Sequence, residues 1–506
     1  MAEGFGRHVE CMKHHQHQGL RSGGHSLKSW ITLNWRQALL PPLAGSVAGL
    51  ALPPVGWPWL LWLALVPLWS SGARAGALWG GAAVLVSHRW LLALHPLDWL
   101  GVPLPLSLPL AWLLLLSCCM AGALLVAVWC ALVQRLDARR PATALLTALL
   151  WGLVELVLAK GPMFWIGLGA AVLPGDPPLA AVAQLGGAPL LASLQLLLAW
   201  LLWRRRWLLF SAGVLLSHGL GLVLLITPVL AADQPPPLEL VAVQPNLPTR
   251  DKFSWSQQRR QLELLQRAVG LAERAGAAAV VLPEGALPLD QRLDGHQAVE
   301  ILSGGFRREQ LEERSSVLWF PAGATRPQRW LDKHRLVPLG EWVPLGRWSG
   351  LSAVGGVSPG EPARLLLLPP PLGPLAVAVC YELSDGEAVA AAVRAGGSWI
   401  LTIANLDPYP PQLQQQFLAQ ARLRALESQR WLLSVGNTGP TAVIDSRGAV
   451  HQLLPLGQAE LANLALWRRD GVTPWVRWGP WPQLAALALA GFWWRKGAIV
   501  KGNLFF

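Results

Sequence analysis

Seven apolar stretches fill residues 37–231, at about 37–52, 57–72, 75–95, 106–132, 141–159, 178–203 and 207–231. Several approach the roughly 20 residues that carry a helix across the hydrocarbon core of a bilayer. The first two are shorter and contain prolines, which membrane helices tolerate because neighbouring segments re-satisfy the freed backbone groups. A chain of 506 residues that is 53% hydrophobic and 14% charged is not composed like a soluble protein. Positive charge falls in alternate connections: Arg21, Lys28 and Arg36, then Arg74, then Arg135, Arg139 and Arg140, then Arg204, Arg205 and Arg206. Basic loops mark the cytoplasmic side. The connections between them, PP at 53–54, HPLDWLGVP at 95–103 and KGPMFW at 160–165, carry little charge. Seven crossings of residues 36–231 therefore bring the chain outside at about Ala232.

The ends and the overall charge narrow the class further. The net charge of +12 is spread over scattered arginines and over arginines beside apolar runs, which fits a membrane surface and not a nucleic-acid stripe. Residues 1–35 lack the apolar core and cleavage site of a signal peptide and read as a disordered cytoplasmic tail. His14, His15 and His17 in that tail are only a compositional hint of metal binding, and neither a metal site nor a cofactor is expected. Cys118, Cys119 and Cys130 lie in an apolar stretch and Cys11 in the tail, so the polar half has a single cysteine and no disulfide framework. No feature demands an oligomer.

At DQPPP the composition changes and a polar domain begins, spanning about 235–474. LELVAVQPN (238–246), AAAVVLPEG (277–285), SVLWFPAG (316–323), LAVAVC (375–380), SWILTIAN (398–405) and WLLSVGN (431–437) read as buried strands. Helical patterns lie between several of them, at 254–276, 386–396 and 412–429. Alternating strands and helices predict a layered α/β domain. Residues 479–496 are apolar, with paired tryptophans and then Arg495 and Lys496, and read as an eighth crossing that returns a short tail, 497–506, to the cytoplasm.

Three polar groups stand at or just beyond the C-terminal ends of strands, where layered α/β domains bind ligands: Glu284, Lys333 and Cys380. Between 237 and 480 the only lysines are Lys252 and Lys333, against more than twenty arginines, so a compact ammonium stands at 333 where the chain otherwise uses guanidinium. A cysteine ending a buried strand is often a small hydrophobe. Beside a carboxylate and an ammonium it is also a nucleophile with its base and its oxyanion partner, because a thiol has to lose its proton to attack.

These residues sit in wording that resembles the bacterial apolipoprotein N-acyltransferases, membrane-embedded members of the nitrilase superfamily: VQPNLP at 243–248, LPEGALP at 282–288, DKHRLVPLGEWVP at 332–344, AVCYEL at 378–383 and ARLRALESQRWLLSVGNTGPTAVID at 421–445. LLWGLVELVLAKGPMFWIGLG at 149–169 carries a weaker likeness in the apolar half. The resemblance implies a polytopic α-helical membrane domain plus an extramembrane nitrilase-like α-β-β-α sandwich, located in the bacterial inner membrane with the sandwich on the periplasmic side. It implies a Glu284, Lys333, Cys380 triad that takes an acyl chain from a phospholipid such as phosphatidylethanolamine as a thioester. The chain then passes to the α-amine of a lipoprotein's S-diacylglyceryl cysteine. Lys333 and the backbone N–H of Tyr381 would hold the oxyanion. Glu341 matches an acidic position that supports the lysine and base, or it caps the adjacent turn. Glu382 matches the family's Cys-Tyr-Glu and orients the loop. Trp255 corresponds to a tryptophan that touches acyl chain, or it is an interfacial belt residue.

The chain departs from the family in two places. NLDPYP, with Asn405, Asp407 and Tyr409, replaces Asn-Asp-x-Trp-Phe-Gly, which alters the loop that closes over substrate, and Leu339 replaces a phenylalanine. Glu155, inside an apolar stretch, reads as hydrogen-bonded between helices. Two other readings use the same residues: a membrane-anchored carbon–nitrogen hydrolase acting on a small amide, and a transporter with an accessory domain. One helix suffices for an anchor, and transport pathways place more ionisable groups in their spans than Glu155, His88, Arg89 and His218.

Overall fold

The apolar half becomes helix almost throughout. The computed structural model describes residues 35–98, 102–161, 164, 166–227, 234–249, 254–338, 340–341, 356–407 and 409–499. The expected N-terminal tail through residue 34, Leu339 and the last residues from 500 lie outside the described residues. The helices are α1 (Trp35–Leu50), α2 (Pro58–Leu65), α3 (Ala73–Ser87), α4 (Leu104–Arg135), α5 (Pro141–Ala159), α6 (Pro177–Ala181), α7 (Ala183–Trp203) and α8 (Trp207–Ile226). Among the described residues α4, α5, α7 and α8 are long and apolar enough to cross a membrane. The first three stretches give shorter helices, and those at 57–72 and 75–95 finish as 3-10 turns, Val66–Ser70 and Arg89–Leu94. The stretch at 178–203 is broken: α6 ends at Ala181, and α7 kinks where Gly186 (φ −154°) and Gly187 (φ 67°) leave helical geometry just before Pro189. Leu208, Leu215, Leu216 and Ile226 of α8 are largely exposed, as side chains facing lipid are.

Hydrogen bonds sort the two ends of the bundle. Gln134 Nε2 donates to the carbonyl of Trp69, Trp200 Nε1 to that of Ala138, and Trp494 Nε1 to that of Leu136. The basic connections at Arg74, Arg135–Arg140 and Arg204–Arg206, and the Arg495–Lys496 pair, thus gather at one end. The opposite end, at Pro53, Ser87, Ala159 and Gly161, meets the polar domain.

That domain contains β1 (Gln234–Gln244), α9 (Trp255–Ala275), β2 (Ala279–Leu289), β3 (Glu300–Glu309), β4 (Glu312–Phe320), β5 (Arg329–Asp332), β6 (Leu365–Leu366), β7 (Leu375–Val379), α10 (Gly386–Arg394), β8 (Ile400–Ala404), α11 (Pro411–Ser428), β9 (Leu432–Gly436), β10 (Ala442–Ile444), β11 (Val450–Leu453) and β12 (Glu460–Arg468). Two six-stranded sheets form, ordered β12-β1-β2-β3-β4-β5 and β11-β10-β9-β8-β7-β6. The central strands β1-β2-β3 and β7-β8-β9 are parallel, which agrees with the near-continuous apolar runs of all but β3. β2 packs against β8 and β9, α9 covers the first sheet, and α10 and α11 cover the second, giving four layers, α-β-β-α. The α11 layer also packs on α7, so the second sheet's outer helices face the membrane bundle.

Polar side chains of α11 make that junction specific. Gln416 Nε2 donates to the carbonyls of Pro53 and Ser87, Gln429 Nε2 to Gln184 Oε1, and the backbone N–H of Ala188 donates to Glu427 Oε1 at 2.8 Å. Glu427 thereby caps the segment of α7 that restarts after the kink. The chain finishes with α12 (Pro474–Trp478) and α13 (Trp481–Ile499). The latter runs along α5, from Gln483, which donates to the carbonyl of Leu149 and to Ser193 Oγ, to Trp494 beside Leu136.

Candidate active site

Three strands deliver the three groups that the sequence singles out. Cys380 follows β7 directly and opens the 3-10 turn Cys380–Ser384, with φ +53°. A non-glycine residue with positive φ is strained, and such strain collects at functional sites. Lys333 follows β5, whose last residue, Asp332, accepts from Arg307 Nη2 (2.5 Å) and Ser316 Oγ (2.6 Å). The Lys333 backbone is fixed on both sides, its N–H donating to the Ser315 carbonyl and its own carbonyl accepting from Gly360. Glu284 differs from the expectation: β2 does not end before it but continues to Leu289. The ladder to β3 breaks between Leu282 and Leu287, because Pro283 has no N–H and Gly285 adopts φ +60°. Gly304 of β3 makes room for this bulge. A Cβ there would lie 2.4 Å from the Pro283 carbonyl oxygen and 2.5 Å from Glu284 Cα.

The side chains converge. Lys333 Nζ lies 2.6 Å from Glu284 Oε1 and 2.8 Å from Glu341 Oε2, and Glu284 Oε2 accepts the Asn405 N–H at 2.9 Å. The Cys380 thiol hydrogen-bonds to Glu284. Burial alone would lower the Lys333 ammonium's pKa, but the Glu284 and Glu341 charges outweigh it and hold it well above its usual value. Burial pushes the Cys380 thiol up, the Glu284 charge pushes it further, and Lys333 pulls it down less than these raise it. The thiol is therefore held protonated: burial, with the Glu284 and Glu341 charges, opposes its anion more than the Lys333 ammonium favours it. Burial also raises the Glu341 carboxyl, against the pull of Lys333.

Around this centre the remaining residues fall into place. Glu341 bonds Lys333 and also accepts the Val337 N–H (2.9 Å) within its own turn. Glu382 is buried and accepts from the N–H groups of Val379, His334 and Arg335 and from Arg364 Nη1 (2.9 Å). It joins the Cys380 turn to the lysine loop. Asn405 Nδ2 donates to Thr249 Oγ1, and Asp407 Oδ2 accepts the Thr249 N–H. Tyr381 and Tyr409 meet hydroxyl to hydroxyl at 3.2 Å. Trp255 begins α9 and is 89% exposed, away from these contacts. Among the described residues no cluster of His, Cys, Asp and Glu could hold a metal ion.

A family profile described as the apolipoprotein N-acyltransferase N-terminal domain matches residues 44–201. A protein named apolipoprotein N-acyltransferase from Prochlorococcus marinus is 45% identical over 476 residues, covering 88% of this chain and 94% of the relative. One of the same name from Parasynechococcus marenigrum is 48% identical over 455 residues, covering 86% and 96%. The chain belongs to the apolipoprotein N-acyltransferase family. Among solved structures, Saccharomyces cerevisiae Nit3, of the nitrilase superfamily, aligns with 48% of this chain and 92% of its own at 17% identity and a TM-score of 0.35.

Several residues of this N-acyltransferase-family site gave no signal in the sequence. Arg335 donates to the Tyr381 carbonyl, to Ser384 Oγ and, through Nη2, to the Gly161 carbonyl at the end of α5, while Ser384 Oγ donates to the Ala159 carbonyl. These bonds tie the Cys380 turn to the membrane bundle. Glu155 accepts from Trp151 Nε1 on its own helix and from the N–H groups of Leu168 and Gly169, so it caps the turn Leu168–Val172. The expectation of a hydrogen-bonded intramembrane carboxylate holds, with a backbone turn in place of a neighbouring helix.

Proposed function

We propose that this chain transfers an acyl chain from a phospholipid to the α-amine of a diacylglyceryl lipoprotein in the bacterial inner membrane, with the sandwich domain on the periplasmic side of about eight crossings. The observation that carries this reading is a buried thiol hydrogen-bonded to Glu284, beside Lys333, on a turn tied to the end of a lipid-embedded helix bundle. A small-amide hydrolase has no use for that attachment.

In the first step Glu284 takes the Cys380 proton as sulfur attacks the ester carbonyl. The concerted transfer suits a thiol whose free anion the two neighbouring carboxylates oppose. The oxyanion receives hydrogen bonds from Lys333 and from the Tyr381 N–H. Collapse breaks the ester bond, and the leaving glycerol oxygen takes the proton back from Glu284, which releases a lysophospholipid. In the second step the lipoprotein amine attacks the thioester, Glu284 accepts its proton, and the sulfur leaves as Cys380 thiol. Glu341 keeps Lys333 charged and oriented, and Glu382 holds the turn. Asn405, through its N–H, fixes the Glu284 carboxylate, while Asp407 and Tyr409 shape the loop over the substrate. Trp255 touches lipid from the domain surface.

Incubation of the purified protein with a defined phospholipid, without lipoprotein, is expected to add one acyl mass to the peptide containing Cys380. Absence of the adduct, or its persistence in Cys380→Ala, overturns the thioester route.

A further inference from the structure

The chain has 506 residues, 29 tryptophans, 10 phenylalanines and only two tyrosines. Those two, Tyr381, one residue beyond Cys380, and Tyr409, lie 28 residues apart and place their hydroxyls 3.2 Å from each other. Of two hydroxyls so paired, one O–H donates to the other and the second O–H stays uncommitted. Neither hydroxyl has another hydrogen-bond partner among the described residues. Trp90, from the 3-10 turn at the outer end of the bundle, packs edge-on against Tyr409 at 5.4 Å. It is 1% exposed, and its Nε1–H has no hydrogen-bond partner among the described residues. Burial keeps both phenols protonated at working pH.

Two uncommitted donors therefore stand together where the membrane half meets the nucleophile turn. A buried donor without a partner is destabilising, a cost that a bound acceptor removes. Ester and ether oxygens accept hydrogen bonds and donate none, whereas an attacking α-amine brings N–H donors of its own. The depth matches too: Trp90 comes from the bundle, Phe164 packs against Tyr381 at 5.4 Å, and a glycerolipid carries its oxygens just above its chains.

We propose that the Tyr381–Tyr409 hydroxyl pair, with the Trp90 indole, is a recognition site for the glycerol backbone of the acyl-donor lipid, bonding an oxygen outside the scissile carbonyl. This rests on the acyltransferase reading above. The pair selects the donor lipid and leaves the acceptor step alone.

The test compares Cys380 acylation by a diacyl phospholipid with acylation by the p-nitrophenyl ester of the same fatty acid, which has a scissile carbonyl but no glycerol. In Tyr409→Phe, which removes one oxygen and keeps the ring, acylation by phospholipid is expected to fall roughly tenfold more than acylation by the p-nitrophenyl ester. Tyr381→Phe should behave alike, and the double variant should be little slower than either, since the hydroxyls act as a unit. Equal losses with both donors, or no loss with phospholipid, overturn the inference while the acyltransferase reading stands. Wild type that forms no adduct with either donor overturns both.

Discussion

Cys380 combines a positive φ, near-complete burial and a carboxylate partner, and the last two act on its proton. Because the Glu284 charge raises the thiol pKa, its removal has a definite sign: in Glu284→Gln the pKa falls, and at any given pH the thiolate fraction rises. The pH profile of Cys380 alkylation by iodoacetamide is expected to move to lower pH in this variant, about tenfold faster per unit at a fixed pH below the pKa, while acyl transfer is lost with the base. A profile that stays put or moves up would show that Glu284 does not sense the thiol. Lys333 and Cys380 are legible in the sequence because their types are scarce in their surroundings, one thiol in the domain and two lysines among many arginines, and Glu284 only through its place beyond the apolar run AAVVLP. Arg335 and Arg364 are invisible for the converse reason. An arginine in a chain that uses arginine everywhere carries no mark, and only the carbonyls and carboxylate it meets distinguish it.

At the scale of elements, the turn Cys380–Ser384 is held in place by one side chain. Glu382→Ala strips the acceptor from the N–H groups of Val379, His334 and Arg335 and from the Arg364 guanidinium. With about 1–3 kcal/mol for each buried donor left unpaired, the loss exceeds that of an ordinary substitution. Thermal unfolding in detergent is expected to show a marked fall in Tm for Glu382→Ala and a smaller one for Glu382→Gln, which keeps an acceptor; equal Tm values would deny the turn this anchor. The six strands read from the sequence are largely buried, and most are uniform apolar runs. β3 gives no apolar run, because Gly304 and Gly305 interrupt it and it ends in Arg307, Arg308 and Glu309, yet Gly304 is what admits the Glu284 bulge. β11 and β12 escaped for want of burial: most of their residues are partly or fully exposed, so no apolar run announces them.

For the whole molecule, the bundle has a basic end and an end that carries the sandwich domain. In a Cys11→Ala background, Arg447→Cys, an exposed position on the sandwich, is expected to react with a membrane-impermeant maleimide in intact spheroplasts, and Arg139→Cys only after permeabilisation. The reverse pattern would invert the proposed sidedness. The apolar stretches made the membrane half legible as a class, but not the kink of α7 at Gly186–Gly187, where a carboxylate from another domain caps the restarted helix. No periodicity within a stretch can announce a partner 239 residues away.

The bonds from Arg335 and Ser384 to the carbonyls of Gly161 and Ala159 fasten the Cys380 turn to the membrane bundle. On the function proposed above, a donor lipid and a lipoprotein share that one thiol, and both reach it from the plane of the bilayer.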